Sequence, residues 1–166
     1  GLHVLIDPNN GTGALANPIL MDHLGVSYTM INKEPNGRFA HDPEPLQKNL
    51  DQIIAELQTG QYDIGFVQDA DADRLVILDE TGRFIGEDYS LGLCVDYVLK
   101  YEQSSAPKKD VVVNLSTSNV IADIVKKNGG SLHQTRIGEP NVTAKLKELD
   151  AVVGGEGNGG VIYPEV

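Results

Sequence analysis

Short apolar runs and helix-period segments alternate along this chain, and that alternation leaves few folds open to it. Val4 to Ile6, Val26 to Ile31, Ile64 to Val67 and Leu75 to Leu78 read as strands. Between the first two, Asp7-Pro8-Asn9-Asn10-Gly11-Thr12-Gly13 reads as a strand-to-helix turn opening a helix to about Leu24. Leu46, Leu50, Ile53, Ile54 and Leu57 fall on one face of a second helix. Asp79-Glu80-Thr81-Gly82 reads as a hairpin turn with Phe84-Ile85 returning, and a helix follows from about Asp88 to Tyr101. The polar segment from Gln103 to Lys109, with Pro107 inside it, reads as a linker.

Beyond it the pattern restarts. Val111 to Leu115 is a strand, Ser118 caps a helix buried through Val120, Ile121, Ile124 and Val125, and Gly129-Gly130 ends that helix. A strand to Arg136, a helix from Pro140 to Leu149 and a strand from Ala151 to Val153 complete the series. The last strand runs into Gly154-Gly155-Glu156-Gly157-Asn158-Gly159-Gly160, with Val161-Ile162-Tyr163 returning. The expected fold is α/β, two successive units with mixed, mostly parallel sheets flanked by helices. The expected boundaries are residues 1–103, a linker over 104–109, and residues 110–166, the last looking one covering helix short. A chain that opens directly on a core strand is expected to be a piece of a longer polypeptide.

Among the 166 residues, 13 basic and 24 acidic side chains leave a formal net charge of -11. Such a chain repels phosphate backbones and anionic lipid, so neither nucleic acid nor a membrane is an expected partner. No apolar run reaches the ~18 residues of a membrane span. The single cysteine, Cys94, excludes an internal disulfide and fits a reducing, cytoplasmic setting. Its neighbours Leu91, Leu93, Val95 and Val98 suggest a thiol buried as a small hydrophobe.

Chemistry concentrates in Asp69-Ala70-Asp71-Ala72-Asp73-Arg74. Three carboxylates at alternate positions repel one another unless a cation lies between them, and hard oxygen ligands suit Mg²⁺ or Ca²⁺. Arg74 beside them adds a guanidinium fitted to phosphate, and metal plus arginine is what a transferring phosphoryl group needs. Three other readings compete, the plainest being an acidic hairpin tip that is merely solvated. An EF-hand calcium loop, the basis of a non-enzymatic calcium-binding module, would take Asp69, Asp71, Asp73 and Glu80 as positions one, three, five and twelve, but needs glycine where Arg74 stands. A haloacid dehalogenase-type phosphatase would have threonine or valine in place of Asp73. A second glycine-rich loop carries Glu156, whose carboxylate can accept two hydroxyl hydrogen bonds, and Asn158, which can bond a third hydroxyl or occupy a left-handed turn. A solvent-facing glycine turn is the plainer alternative. His41 beside Asp42 reads as a turn-stabilising hydrogen bond rather than a catalytic pair.

On these residues the chain resembles the α-D-phosphohexomutase family of phosphoglucomutases, phosphomannomutases and phosphoglucosamine mutases. The family's metal loop, Asp-Gly-Asp-x-Asp-Arg, is similar to Asp69–Arg74 with Ala70 in place of the glycine. Phe39-Ala40-His41-Asp42-Pro43-Glu44-Pro45 is similar to its Phe-Pro-x-x-Pro-Glu-Pro segment. Residues 155–160 resemble its sugar loop, Gly-Glu-x-Ser-Gly-His, with Asn158 and Gly160 replacing serine and histidine, and Arg136-Ile137-Gly138-Glu139 is similar to a further loop type. The resemblance implies the second domain and most of the third of a four-domain enzyme. It implies Mg²⁺ on Asp69, Asp71 and Asp73, Arg74 as the catalytic phosphate contact, and Glu156 and Asn158 as substrate-binding residues. The implied reaction interconverts hexose 1- and 6-phosphates through a phosphoserine and a bisphosphate. The remaining domains of the same polypeptide are the implied partners. No Thr-Ala-Ser-His-Asn-Pro-like nucleophile segment is present, so the chain by itself is expected to be inactive.

Overall fold

In the computed structural model, described over residues 1–101 and 109–165, the chain divides into two units, Gly1–Gly86 and Glu87–Val166. The expected linker over 104–109 lies, apart from Lys109, outside the described residues.

The first unit contains β1 (His3–Asp7), α1 (Gly13–Leu24), β2 (Ser27–Met30), α2 (Asp51–Leu57), β3 (Ile64–Gln68) and β4 (Leu75–Asp79). Its sheet runs β2-β1-β3-β4, parallel through the first three and antiparallel at β4. Alternation along β1 explains the layering. Leu5 points into a cluster with Ile53 and Leu57 of α2, while Val4 and Ile6 pack with Met21 of α1 on the opposite face.

The helix expected from Leu46 is divided. Gln47–Asn49 forms a single 3-10 turn, and Leu50, at φ -109° and ψ 15°, separates it from α2 while remaining 1% exposed. Pro45 sets the chain direction before this turn, and the Asn49 side chain bonds back to the Glu44 carbonyl at 2.8 Å, a local bond that competes with helix continuation. The return through Phe84 is likewise only a single bridge to Leu78, made by Asp79 N–H to the Arg83 carbonyl (3.0 Å) and Ile85 N–H to the Ile77 carbonyl (3.2 Å).

The second unit contains α3 (Glu87–Tyr101), β5 (Asp110–Asn114), α4 (Asn119–Lys127), β6 (Ser131–Thr135), α5 (Glu139–Leu149), β7 (Val153–Glu156) and β8 (Gly160–Ile162). Its order, β6-β5-β7-β8, repeats that of the first unit, three parallel strands and an antiparallel edge. Val111 and Val113 face α3 and α4, and Val112 faces α5.

The expected boundary at residue 103 is therefore corrected: the division falls before α3. Leu91, Val95 and Leu99 recur every four residues on α3 and are buried with Val111, Val113 and Val153, so this helix is the cover that the second sheet lacks in the sequence-based division. The same geometry corrects Cys94, which sits off that stripe and is exposed.

Truncating Leu91, which is fully buried, should leave a cavity in the second unit. Leu91→Ala is expected to destabilise by about 2–5 kcal/mol. Hydrogen exchange should report the loss in β5 and β7.

Candidate active site

The six residues from Asp69 to Arg74 join β3 to antiparallel β4, and this hairpin brings the three aspartates together. One ligand oxygen from each of Asp69, Asp71 and Asp73 lies within 4.8 Å of the others. Ala72 turns the chain, with a φ of 64° and its N–H bonded to the Asp69 carbonyl at 3.2 Å. That left-handed position costs a non-glycine residue roughly 1–2 kcal/mol, and a small side chain limits the crowding. Ala70, which stands where the family has glycine, does not have a positive φ, so the exchange requires no special backbone.

Residues 7–13 suggest only a turn when read as sequence, yet this segment braces the three-aspartate loop. Thr12 donates to the Ala70 carbonyl from its N–H (3.0 Å) and its hydroxyl (3.3 Å). Gly11 approaches so closely that a Cβ there would lie 2.3 Å from the same oxygen. No side chain fits.

Asp69 is 7% exposed, while Asp71 and Asp73 are exposed. Burial first, then its interaction with Asp73 and the charges of Asp73 and Asp71, raise the Asp69 carboxyl to about 6, against the lowering effect of the Arg74 backbone N–H. A carboxylate cluster under this repulsion fits a divalent cation, which would relieve it. Arg74 is held among acids: Nε lies 3.7 Å from Asp69 and 3.9 Å from Asp73, and Nη1 lies 3.5 Å from Glu44. A hollow of about 250 Å³ opens among Asp42, Pro43, Glu44, Asp69, Asp71 and Arg74.

Glu44 is brought there by a buried polar hub. The Asn9 side chain, fully buried, accepts from the N–H groups of Ala40 and His41 (2.8 and 3.1 Å) and donates to the His41 carbonyl (3.2 Å). Asp7, 1% exposed, accepts from Asn9 N–H and from Asn32 Nδ2, and lies 3.4 Å from His41 Nε2. His41 Nδ1 meets the Asp42 carbonyl at 2.8 Å, the expected turn contact. Burial alone would lower the His41 pKa, but Asp7 and Asp42 together outweigh it and raise the value.

The calcium-loop alternative does not survive the flanks. Strands, not helices, enter and leave the hairpin, and Glu80 follows the five residues of β4, about 17 Å of extended chain away.

In the second unit, residues 157–159 link β7 to β8, with Gly159 at φ 93°. Glu156 is half-buried rather than a solvent-facing turn residue. Its Oε1 accepts from Asn114 Nδ2 (2.6 Å) and Gly138 N–H (3.1 Å), which leaves Oε2 as the oxygen for external hydroxyls. Asn158 does not have a positive φ; its Oδ1 accepts the Gly160 N–H at 3.2 Å. Thr117 Oγ1 takes the Gly157 N–H at 3.1 Å, and Asp88 stands where a Cβ on Gly157 would fall, 2.4 Å away. Sequence reasoning misses Asn114 and Thr117, and reaches Gly138 only as part of a loop resemblance. The available signal is a polar residue closing the apolar run Val111-Val112-Val113.

Residues 1–82 match the family model described as phosphoglucomutase/phosphomannomutase, alpha/beta/alpha domain II, and residues 86–166 match domain III. The chain belongs to the α-D-phosphohexomutase family. A phosphoglucomutase/phosphomannomutase of Thermococcus kodakarensis is 39% identical over 163 residues, covering 98% of this chain and 35% of that protein. A phosphoglucomutase/phosphomannomutase family protein of Burkholderia thailandensis has a crystal structure that superposes with a TM-score of 0.88 at 29% identity, over 99% of this chain and 35% of that one. The N-acetylphosphoglucosamine mutase of Aspergillus fumigatus, solved with GlcNAc-6P and magnesium, shares the fold at a TM-score of 0.68 and 19% identity, over 99% of this chain and 37% of that one. The chain thus spans about a third of the length of these relatives.

Two pH dependences follow for the metal-free chain. A carboxyl raised from 3.8 to about 6 destabilises the folded state above pH 6, and this effect fades as pH falls through 6 toward 4. Asp69→Asn keeps the acceptor for the Arg74 N–H, so it should raise Tm at pH 7.5 by about 4–8 °C, the shift ~1 kcal/mol gives a domain this size. Near pH 4 it should do almost nothing, as calorimetry at the two pH values would reveal. His41 has the opposite chemistry and the same direction. Its raised folded value stabilises fully below the unfolded pKa of about 6.5 and is lost as pH rises through the folded value. His41→Gln should therefore lower Tm at pH 6 and change it less at pH 8.5.

Proposed function

We propose that this chain is the metal-loop and sugar-loop portion of a phosphohexomutase that interconverts hexose 1-phosphate and hexose 6-phosphate. The observation that carries the reading is the convergence of Asp69, Asp71 and Asp73 beside Arg74 in a chain of this family. The substrate class is glucose, mannose or glucosamine phosphate. A phosphoserine from another domain of the same polypeptide is the phosphoryl carrier, and a hexose bisphosphate is the intermediate. A cytoplasmic location accords with the single unpaired cysteine, and no described helix is long and apolar enough to cross a membrane.

Asp69, Asp71 and Asp73 would hold Mg²⁺, which when bound neutralises charge on the oxygens of the transferring group. Arg74 offers planar donors to phosphate. Its contacts to Glu44 and Asp73 at 3.5 and 3.9 Å are long and half-exposed, so a phosphate displaces them at little cost. Glu156 accepts sugar hydroxyls on Oε2, and Asn158 retains its Nδ2 donors beside the bond that Oδ1 makes. A carboxylate oxygen accepts any hydroxyl, and that tolerance suits a sugar that must be read in two orientations, one for each half-reaction.

Steady-state kinetics of the full-length enzyme, on three sugars at several Mg²⁺ concentrations, separates these roles. Asp71→Asn should depress kcat on every sugar, with a steeper requirement for Mg²⁺. Glu156→Ala should lower kcat/KM by about 10–100-fold, the scale of one charge-assisted hydrogen bond or two, and reorder the sugars without moving the Mg²⁺ dependence. A Glu156→Ala enzyme with altered metal dependence and unchanged sugar order would refute the sugar-loop role.

A further inference from the structure

Asn114 closes β5 with its side chain 1% exposed, and both ends of its amide are engaged. Oδ1 accepts from Ser116 N–H (3.1 Å), Ser116 Oγ (2.9 Å) and Thr117 Oγ1 (2.8 Å). A backbone nitrogen can only donate, so the oxygen must face Ser116 and the amide nitrogen must face Glu156. That nitrogen donates to Glu156 Oε1 at 2.6 Å, a short bond to a charged acceptor. The N–H of Gly138 reaches the same oxygen at 3.1 Å, which gives the Arg136-Ile137-Gly138-Glu139 loop a part in the arrangement.

We propose that Asn114 is a positioning residue for sugar recognition. Together with Gly138 it saturates Oε1 of Glu156 and fixes the plane of the carboxylate, so that Oε2 is the oxygen a substrate hydroxyl meets. A free glutamate side chain samples many rotamers, and this one is held before the sugar arrives. Thr117 extends the same hold to the loop itself, accepting from Gly157 N–H while donating to Asn114. The proposal rests on Glu156 being the sugar-contacting carboxylate.

The two ends of the amide make the test clean. Asn114→Asp retains the acceptor that closes the Ser116–Thr117 turn, but replaces the donor with an oxygen facing another carboxylate oxygen. The added buried charge lowers stability in either role, so the role is read from the kinetics of the folded enzyme and not from Tm. In the full-length enzyme, Asn114→Asp is expected to raise KM for hexose phosphate by about 10-fold or more, with kcat within about threefold, as for a contact made equally in ground and transition states. In a Glu156→Ala background the same substitution should change kcat/KM by less than about twofold, since the group it positions is gone. If Asn114→Asp is silent, or lowers kcat/KM equally in both backgrounds, the positioning role is overturned and the Glu156 reading stands. If Glu156→Ala alone leaves kcat/KM and sugar order unchanged, the Glu156 reading falls and takes the proposal with it. Should Asn114→Asp fail to fold, Asn114→Ser takes its place in the same cycle, because serine is too short to reach Glu156 but able to bond within the turn. A KM raised only where Glu156 is present supports positioning, and equal losses in both backgrounds overturn it.

Discussion

Each unit depends on a buried side-chain oxygen at the end of its central strand. In the first it is Asp7, which accepts the N–H of Asn9 at 2.9 Å; in the second it is Asn114, which accepts the N–H of Ser116 at 3.1 Å. Both acceptors are 1% exposed, and both bond two residues ahead. A strand that ends in the interior must satisfy the amides of the chain leaving it, and a short polar side chain does so where no further strand can. The remaining polar atoms of each hub then fasten a candidate site residue or the segment that carries one. Asp7 and Asn9 fix the segment bearing Glu44, and Asn114 fixes Glu156.

The loop of three aspartates shows how an acidic chain holds carboxylates together on a fixed backbone. Its backbone is fastened from outside by Thr12, at a spot only glycine at position 11 leaves open, so the loop cannot spread to relieve repulsion among its carboxylates. The strain appears instead in the Asp69 pKa, raised by burial and by Asp73. Arg74 compensates in part, shared among Asp69, Asp73 and Glu44. A divalent ion entering such a cluster would exchange repulsion for coordination, with little rearrangement of its frame.

Much of this is legible in the sequence because period and burial coincide there. The strands of both sheets, the helix capped by Ser118 and the three-aspartate hairpin follow from local pattern. What escapes is set by packing between distant segments. Nothing local says that α3 belongs with the strands after it, because its stripe of Leu91, Val95 and Leu99 would suit either sheet. The break at Leu50 is hidden because the apolar spacing persists across it. The supporting residues Asn9 and Thr117 look like ordinary loop polars, and Asn114 like the polar end of a strand, until the fold buries them.

The two candidate site loops occupy the same place in the two sheets, between the third strand and the antiparallel edge strand. A parallel crossover must carry a helix across the face of a sheet, so its length and path are constrained by packing. A hairpin at an edge escapes that constraint. Here one such hairpin spans residues 69–74 and the other residues 157–159, yet the strands they join pair in the same way. This architecture therefore behaves as a socket whose insert can be lengthened, shortened or given new ligands while the supporting sheet keeps its register.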